Sequence, residues 1–518
     1  MLKILEQDYV LYSIFDFLDK NFQQWIILIQ ISKVLRQILM KHIFHKLPHF
    51  VFRENTSITH DVLNFINRFP GLKYLDVSYT DIQDDGLKEI SKLTYLKQLH
   101  LLICKHLTNN GLIYLWDLTN LEKLSLDTYD NDNPHQTKDD ELIYLVNLTK
   151  LNKLKYTTIS TGFGLRYLTN LTNLTHLNLN CYKFTKQGFS LLSKLPSLNT
   201  LEITDLDDST INFTEPISNI KTLENLKISY ISIQDLSLTY LTNIKTLILN
   251  NCSSFTKLPS ELQKLKELQL INKRYTIEPI SGLQYLNQLE KLIIKGYDPS
   301  DIHHIFNMKN LEYLEILNNT TYDLNLNYIS CLTNLKYFIM ETKLNYRGPK
   351  LNILNLSPLT KLDTININSN YILDLSDLKL LTWIKNIYLS LFTDIIAPEL
   401  TDNDLNKIYG LKIRELEIIN CSKITDTGIK NLLNNNLELK LLKIYRCCLL
   451  TENILPHIKQ LSSLNTLHLH HLNELTPNWY TYLTKLRHLT DLRYPNSFNT
   501  HLENITRLFP STEVSMMF

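Results

Sequence analysis

The chain has 518 residues, and its 53 basic side chains are matched by 52 acidic ones, which leaves a formal net charge of +1. A nearly neutral chain has no strong attraction for nucleic acid or for an anionic membrane, so neither is an expected partner. Only 11 glycines occur, and the sequence contains neither of the phosphate-binding motifs G-x-x-x-x-G-K-[ST] and G-x-G-x-x-G. The sequence therefore gives no indication of a nucleotide cofactor.

Residues 1–46 show helical periodicity. Val10, Ile14 and Leu18 recur at intervals of four, a second apolar run covers residues 25–31, and residues 35–43 repeat the i, i+3, i+4 spacing. Three short helices can bury only a small core. We therefore expect this segment to pack on the element that follows it or on a partner protein.

From residue 47 onward a single pattern is repeated. In residues 413–433, Ile413, Leu416 and Ile418 match an L-x-x-L-x-L strand, Cys421 stands at the ninth position, and an apolar helical stretch follows. This is the signature L-x-x-L-x-L-x-x-N/C of a leucine-rich repeat. Eighteen copies start at Leu72, Leu96, Leu121, Leu151, Leu174, Leu198, Leu223, Ile244, Leu265, Leu289, Leu311, Leu335, Leu362, Ile384, Ile413, Leu439, Leu464 and Leu489. They recur about every 24 or 25 residues, which lies within the range of this repeat class.

The predicted fold is an α/β leucine-rich-repeat solenoid over residues 47–518, a horseshoe of about 18–19 repeats with a parallel sheet on its concave side. Leu47, Phe50 and Phe52 give a degenerate first copy. One repeat cannot fold alone, because burial of about six aliphatic side chains contributes roughly 2 kcal/mol each. Ordering about 24 residues costs roughly 1–2 kcal/mol each, so stability requires stacking on neighbours.

Five of the seven cysteines fall at similar repeat positions. Cys104, Cys252, Cys421 and Cys447 stand at the ninth position and Cys181 at the eighth, where we expect the side chain to turn into the core. The sequence has no C-x-x-C pair, the usual mark of a zinc site, and no apolar signal segment at its start. Free thiols and the missing signal predict a reducing, cytoplasmic location.

Two repeats carry long insertions. Residues 127–140 are polar and contain Pro134, and residues 392–404 lengthen a second copy. Such insertions form surface loops, either as binding elements or as tolerated length variation. Because the stack cannot cover residues 127–140, they are the expected first site of limited proteolysis.

The third, fifth and seventh residues of each repeat should line the concave face, because side chains alternate along a strand. This face carries charges of both signs and several aromatic rings, which suits a protein or peptide ligand better than a polyanion. The candidate binding residues are Tyr74, His100, His176, Tyr313, Tyr337, Tyr445, His468, His470 and Arg493.

His468 and His470 share one side of a strand, which raises the question of a metal site. A metal would need a third ligand, and the sequence offers none at a suitable spacing, so we expect solvated or partner-contacting histidines. No H-E-x-x-H motif, Ser/His/Asp order or paired carboxylate pattern is evident. We expect no cofactor, no metal and no active site in this chain.

The N-terminal segment resembles an F-box. Residues 17–19 (FLD) match the hydrophobic-Leu-Asp end of its first helix, and residues 31–36 (ISKVLR) match its V-S-[KR]-x-[WLF]-[RK] phrase. Residues 5–7 (LEQ) replace the usual Leu-Pro, and Leu35 replaces the usual Trp. Residues 420–429 (NCSKITDTGI) also resemble the cysteine-containing repeats of F-box/leucine-rich-repeat proteins. The Asn-, Ile-, Lys- and Tyr-rich composition resembles that of the F-box/leucine-rich-repeat proteins of giant DNA viruses.

The resemblance implies a substrate-recognition role in a cullin-RING (SCF-type) ubiquitin ligase. Residues 1–46 would bind the Skp-type adaptor and thereby the cullin, and residues 47–518 would hold an unidentified protein substrate. The adaptor-binding side chains would be Leu11, Ile14, Phe15, Leu18, Ile31 and Leu35. The protein would act as a monomer within the ligase, in the cytoplasm, or in the host cytoplasm for a viral protein.

Two alternatives remain open from the sequence. Residues 1–46 can be a plain helical cap on a non-catalytic protein-binding scaffold or inhibitor. The array can also regulate another enzyme, as a ribonuclease inhibitor or a GTPase activator does. Binding of residues 1–46 to a Skp-type adaptor discriminates between these functions.

Overall fold

The computed structural model describes most of the repeat array. The described residues are 49–52, 58, 63, 67, 71–127, 139–158, 161–181, 184–205, 217, 219–231, 233, 238–252, 256–272, 278–299, 302–318, 326–342, 356–368, 381–390, 400–470, 476, 479–495, 502–509 and 512–517. The predicted adaptor-binding residues Leu11, Ile14, Phe15, Leu18, Ile31 and Leu35 lie outside them, as do residues 128–138 and 392–399 of the two insertions.

The first of two compact units, Met1–Thr246 with Cys252–Phe255, is built on a parallel sheet. Its strands are β1 (His49–Val51), β2 (Tyr74–Asp76), β3 (Gln98–Leu101), β4 (Lys123–Asp127), β5 (Lys153–Thr158), β6 (His176–Cys181), β7 (Thr200–Asp205) and β8 (Asn225–Ser229). Each strand pairs with the next in chain order. Strand β1 confirms the degenerate first copy predicted at Leu47.

The second unit, Leu247–Asn251 with Thr256–Phe518, continues the same plan. Its strands are β9 (Thr246–Asn250), β10 (Glu267–Ile271), β11 (Glu278–Ile280), β12 (Lys291–Lys295), β13 (Tyr297–Pro299), β14 (Tyr313–Asn318), β15 (Tyr337–Thr342), β16 (Thr364–Asn368), β17 (Asn386–Ser390), β18 (Glu415–Ile419), β19 (Leu441–Tyr445), β20 (Thr466–His470), β21 (Asp491–Pro495) and β22 (Glu513–Met517). Strands β11 and β13 pair with each other in a separate two-stranded sheet, and the others form successive parallel pairs.

Short helices return the chain from one strand to the next. The α-helices are α1 (Asp84–Ile90), α2 (Lys186–Ser190), α3 (Asp402–Lys407), α4 (Asp426–Asn435), α5 (Leu455–Ile458) and α6 (Leu502–Leu508). The 3-10 helices are Gly111–Asp117, Glu141–Leu145, Phe163–Leu168, Leu191–Lys194, Leu283–Tyr285, Ile302–Asn307, Leu326–Cys331, Glu452–Ile454 and Trp479–Lys485. None of the described helices is long and apolar enough to cross a membrane.

The core confirms the predicted repeat register. All eighteen predicted first-position residues are between 0 and 4 % exposed. In α4 the predicted apolar positions Ile429, Leu432 and Leu433 are buried as well. Both sides of each strand–helix unit are therefore shielded by neighbouring repeats, as a stacked array requires.

The eighth repeat position turns the chain from the strand into the core. Among the described residues, six at this position have a positive φ, between 51° and 61°, although none of them is glycine. They are Tyr79, Ile103, Tyr230, Asn251, Asn420 and Arg446. This left-handed conformation ends the strand, and in four copies it is followed by a buried cysteine. The predicted burial of Cys104, Cys252, Cys421 and Cys447 is thus confirmed.

Acidic side chains fasten the helix start of one repeat to the preceding repeat. Asp426, the first residue of α4, accepts hydrogen bonds from the amide and the hydroxyl of Thr451, at 2.8 and 2.6 Å. The same pair of hydrogen bonds joins Asp84 to Thr108, Asp139 to Thr161 and Asp402 to Thr425. Thr425 itself caps α4, since its hydroxyl accepts from the Thr427 amide. Asp426 therefore links repeats, and Thr425 is the cap.

Three of the described strands were not predicted from the sequence. Strand β22 is a further copy after Leu489, and its first position is Ser511 in place of an aliphatic residue. Strands β11 and β13 are three residues long and lie outside the L-x-x-L-x-L segments. Neither the copy at β22 nor the strands β11 and β13 were predicted, because the leucine that marks the start of a copy is missing there.

Candidate protein-binding surface

The sheet presents one face to the core and the other away from it. On β2 the side chains of Leu75 and the following Val77 are buried, whereas Tyr74 and Asp76 are half-exposed on the opposite side. We call this second side, lined by positions three, five and seven of the repeats, the open face. The nine predicted binding residues all lie on it: Tyr74, His100, His176, Tyr313, Tyr337, Tyr445, His468, His470 and Arg493.

Tyr74 and His100 form an aromatic pair on adjacent strands of the first unit. Their ring centroids are 5.1 Å apart, and His100 Nδ1 lies 2.8 Å from the Ser125 hydroxyl. Burial lowers the pKa of His100, Asp76 opposes this shift, and Lys123 reinforces it. The ring is therefore favoured in its neutral form.

Tyr313 and Tyr337 form a second pair, in the other unit, with ring centroids 5.7 Å apart. The Tyr313 hydroxyl donates to Glu315 at 2.9 Å, and the Lys291 ammonium lies 5.4 Å from the Tyr313 ring centroid. Burial and Glu315 raise the pKa of Tyr313 to about 12. Tyr337 remains 41 % exposed, so its ring is available to a partner.

Tyr445, His468 and Asp491 form a hydrogen-bonded chain across β19, β20 and β21, which we call the histidine network. His468 Nδ1 lies 2.6 Å from the Tyr445 hydroxyl, and its Nε2 lies 2.7 Å from Asp491 Oδ2. An ionised carboxylate can only accept, so Nε2 carries the proton and Nδ1 accepts from the tyrosine. Burial lowers the pKa of His468, although Asp491 opposes the shift, and this fits a neutral ring.

The sequence predicted solvated or partner-contacting side chains for these two histidines, and burial contradicts the first of these alternatives. His468 is only 3 % exposed and His470 only 7 %, so neither ring is solvated. Both nitrogens of His468 are already engaged, which leaves it no lone pair for a metal ion. Its role is to position Tyr445, whose ring also faces His470 at 6.1 Å. Arg493 Nε donates to Asp491 at 3.3 Å and closes the edge of the network.

The chemistry of these groups favours recognition. Burial and the charge of Glu417 raise the pKa of Tyr445 to about 12, so its hydroxyl stays protonated near neutral pH and serves as a hydrogen-bond donor. Within the part of the chain that the structure describes, no three His, Cys, Asp or Glu side chains are placed to hold a metal ion. Rings, amides and ion pairs remain as the groups that can contact a ligand.

The structure thus gathers eight of the nine predicted residues into local clusters and leaves His176 apart, beside the Thr175 hydroxyl at 2.8 Å. It also adds residues that the sequence analysis did not select. Tyr388 on β17 donates to the Glu415 carboxylate, and three lysines, Lys123, Lys153 and Lys155, occupy the open face of β4 and β5. The signal for the lysines was present in the sequence, because no acidic residue stands at the third or fifth position of their own or the adjoining repeats.

No protein-family model matches the chain, and no curated protein matches it. Among solved structures it is similar to TLR13 in its complex with ssRNA13, at 17% identity over 91% of this chain and 70% of that chain, with a TM-score of 0.50. It is also similar to a leucine-rich-repeat protein of Leptospira interrogans (19% identity, 89% and 100% covered, TM-score 0.42). An internalin, InlF, of Listeria monocytogenes is similar at 19% identity (72% and 88% covered, TM-score 0.36).

At 17% identity the likeness to TLR13 concerns the fold alone. The fold itself follows from the repeat register and the successive parallel strands, and it is the predicted leucine-rich-repeat solenoid.

Proposed function

We propose that this chain is a protein-binding adaptor whose open face holds a protein partner. The observation that carries this proposal is the make-up of that face: aromatic pairs such as Tyr313 and Tyr337 alternate along the sheet with charges of both signs. Aromatic rings supply large contact areas at low entropic cost, and mixed charges give specificity. No catalytic step is part of the proposal, and no cofactor is needed for it.

We further propose that the partner is a substrate of a cullin-RING ubiquitin ligase. Support for this comes from the F-box resemblance of residues 1–46, in particular residues 17–19 and 31–36. The segment would dock a Skp-type adaptor in the cytoplasm, and the solenoid would raise the local concentration of the substrate near the ligase. The chain would be a monomer in that complex.

The test is co-purification of the full-length chain with a purified Skp-type adaptor. Leu18→Asp and Leu35→Asp should each abolish the complex, because a carboxylate would replace an apolar contact. Gln24→Asp, which adds the same charge in the same segment without removing an apolar side chain, should retain it. If the wild-type chain never binds the adaptor, the ligase role is wrong, and a scaffold or inhibitor with residues 1–46 as a cap takes its place.

A further inference from the structure

Most cationic side chains on the open face of the described strands are paired with a carboxylate. Eight lysines and arginines occupy positions three, five or seven of the described strands. Five of them meet a carboxylate: Lys227 with Glu202 at 3.3 Å, Lys291 with Glu267 at 2.9 Å, Lys295 with Glu315 at 2.6 Å, Lys443 with Glu417 at 3.4 Å and Arg493 with Asp491 at 3.3 Å.

The other three, Lys123, Lys153 and Lys155, make no ion pair with any residue that the structure describes. They lie next to one another. Lys123 on β4 is the direct register partner of Lys153 on β5, so their backbones are about 4.8 Å apart. Lys155 is two residues further along β5, on the same face. We call these three residues the basic cluster.

The surroundings of the basic cluster are poor in acidic groups. On β3 to β6, positions three and five hold Gln98, His100, Lys123, Ser125, Lys153, Lys155, His176 and Asn178, with no carboxylate among them. Asp76 on β2 accepts from the Ser78 amide, and Glu202 on β7 accepts from Asn178 and Lys227. Asp127 stands at position seven of β4. The three lysines therefore lie side by side on a surface that has no carboxylate at the neighbouring third and fifth positions.

The neighbouring histidines report the same positive field. Burial lowers the pKa of His100, and Lys123 and Lys155 lower it further against the opposing charge of Asp76. Burial likewise lowers the pKa of His176, with Lys153 adding to the shift and Glu202 opposing it. Two rings that would otherwise take up protons are thus favoured as neutral groups around the basic cluster.

Adjacent like charges disfavour the folded state. A second such pair, of opposite sign, lies on β21 and β22, where Asp491 is the register partner of Glu513. The five remaining cations of the open face each meet a carboxylate. At the second positions of the repeats, five further lysines are paired with carboxylates: Lys97 with Glu122, Lys245 with Glu224, Lys266 with Glu290, Lys336 with Glu312 and Lys385 with Asp363. A ligand that carries negative charge would relieve the repulsion among Lys123, Lys153 and Lys155.

We propose that Lys123, Lys153 and Lys155 bind an acidic segment of a protein partner, a stretch with Asp or Glu side chains laid across β4 and β5. This rests on the proposed protein-binding role of the open face and names the chemistry of the segment it takes. A nucleic acid fits less well, because the cluster spans only two strands and is bounded by Asp76, Asp127 and Glu202. An extended polyanion would meet those carboxylates.

The test uses the full-length chain and fluorescence anisotropy with a dye-labelled peptide of alternating Glu and Gly. The uncharged control is a Gln–Gly peptide, and the nucleic-acid control is a single-stranded oligothymidylate, which is a polyanion. Changing Lys123, Lys153 and Lys155 together to Gln should weaken binding of the Glu–Gly peptide by about tenfold or more, with the difference shrinking at high salt. The matched control changes Lys291, Lys295 and Lys443 to Gln, and should leave binding within about twofold.

A charge-reversal variant tests the proposal by a change in which peptide binds, and so does not rely on measuring a small change in affinity. With Lys123→Glu, Lys153→Glu and Lys155→Glu, the chain should lose the Glu–Gly peptide and bind a Lys–Gly peptide instead. Equal binding of the Gln–Gly peptide, tighter binding of oligothymidylate than of the Glu–Gly peptide, or equal losses in the control triple variant would each overturn the proposal.

The two proposals can fail separately. If the Glu–Gly peptide does not bind while the same preparation co-purifies with a Skp-type adaptor, the acidic-segment inference is wrong and the ligase role stands. If the peptide binds through the basic cluster and the adaptor does not, the inference stands and the ligase role is wrong.

Discussion

The basic cluster and the histidine network both lie at repeat positions that line the open face. They differ in whether their polar side chains have hydrogen-bonding or ionic partners. In the network, His468 is buried and each of its nitrogens has a partner, Tyr445 on one side and Asp491 on the other. In the cluster, Lys123 and Lys153 stand side by side with no carboxylate between them.

This difference shows which polar groups stabilise the folded state. A fully bonded buried network stabilises and orders the strands that carry it, and removing a member leaves unsatisfied groups. Exposed, unpaired like charges contribute nothing to folding, so their removal should be harmless or slightly stabilising. The two regions should therefore respond oppositely to substitution, which gives a scale on which each can be tested.

The largest effect is expected for His468→Ala. The change deletes two hydrogen bonds and a buried ring, and should lower the free energy of unfolding by roughly 2–4 kcal/mol. Urea denaturation followed by circular dichroism measures it. His457→Ala is the control, because its ring makes an exposed hydrogen bond, 2.9 Å from Asn434. A smaller loss for His468→Ala than for His457→Ala would show that the network is not structural.

A somewhat smaller effect is expected for Cys421→Ser, on the core side of the sheet and next to the strands of the histidine network. The Cys421 thiol is fully buried after β18, and a hydroxyl there would be poorly paired, which should cost roughly 1–3 kcal/mol. Partner binding should be unchanged, since the side chain faces away from the open face. The complementary measurement is thiol labelling of the native protein: exposed Cys448 should react quickly and Cys421 slowly. Fast labelling of Cys421 in a Cys448→Ser variant would contradict this placement.

The free energy of unfolding should depend on pH because the folded state lowers the pKa values of two histidines. The pKa values of His100 and His468 are both lowered from 6.5, so the unfolded chain takes up protons first on acidification. The free energy of unfolding should be constant above about pH 6.5 and fall as the pH drops toward the lowered folded pKa values.

Titration of the ring signals by NMR separates the two histidines. Changing Lys123 and Lys155 to Gln should raise the pKa of His100, because their charges lower it, and should leave that of His468 unchanged. An unmoved His100 would mean that burial alone sets its pKa and that the lysine field is negligible there.

The smallest effect is expected for single lysines. Lys153→Gln should leave the melting temperature unchanged or raise it slightly, since it removes a like charge beside Lys123. Lys291→Gln should lower it slightly, because an exposed ion pair such as that with Glu267 contributes a few tenths of a kcal/mol. The opposite ordering of the two melting temperatures, measured by calorimetry, would remove the distinction between paired and unpaired lysines on the open face.

The repeat array was determined by the sequence. The eighteen aliphatic first positions, the strand that follows each of them and the buried ninth-position cysteines all follow from local spacing, because each repeat packs only on its neighbours. The open face was predictable for the same reason: alternation along a strand places Tyr74, His176 and Arg493 on it without knowledge of any contact. Strand β22 was missed because Ser511 replaces the residue that marks a copy.

Only the tertiary structure decided which of the open-face groups are satisfied. Tyr445 and His468 are 23 residues apart, as are His468 and Asp491, and their hydrogen bonds depend on side-chain conformations across two strand pairs. Equivalent spacing gives Lys291 a carboxylate and leaves Lys123 facing Lys153. The repeat fixes where a side chain starts, since that is a property of the backbone. Burial of His468 and its two hydrogen bonds depend on side-chain conformations on the neighbouring strands, and these are decided only when the strands pair.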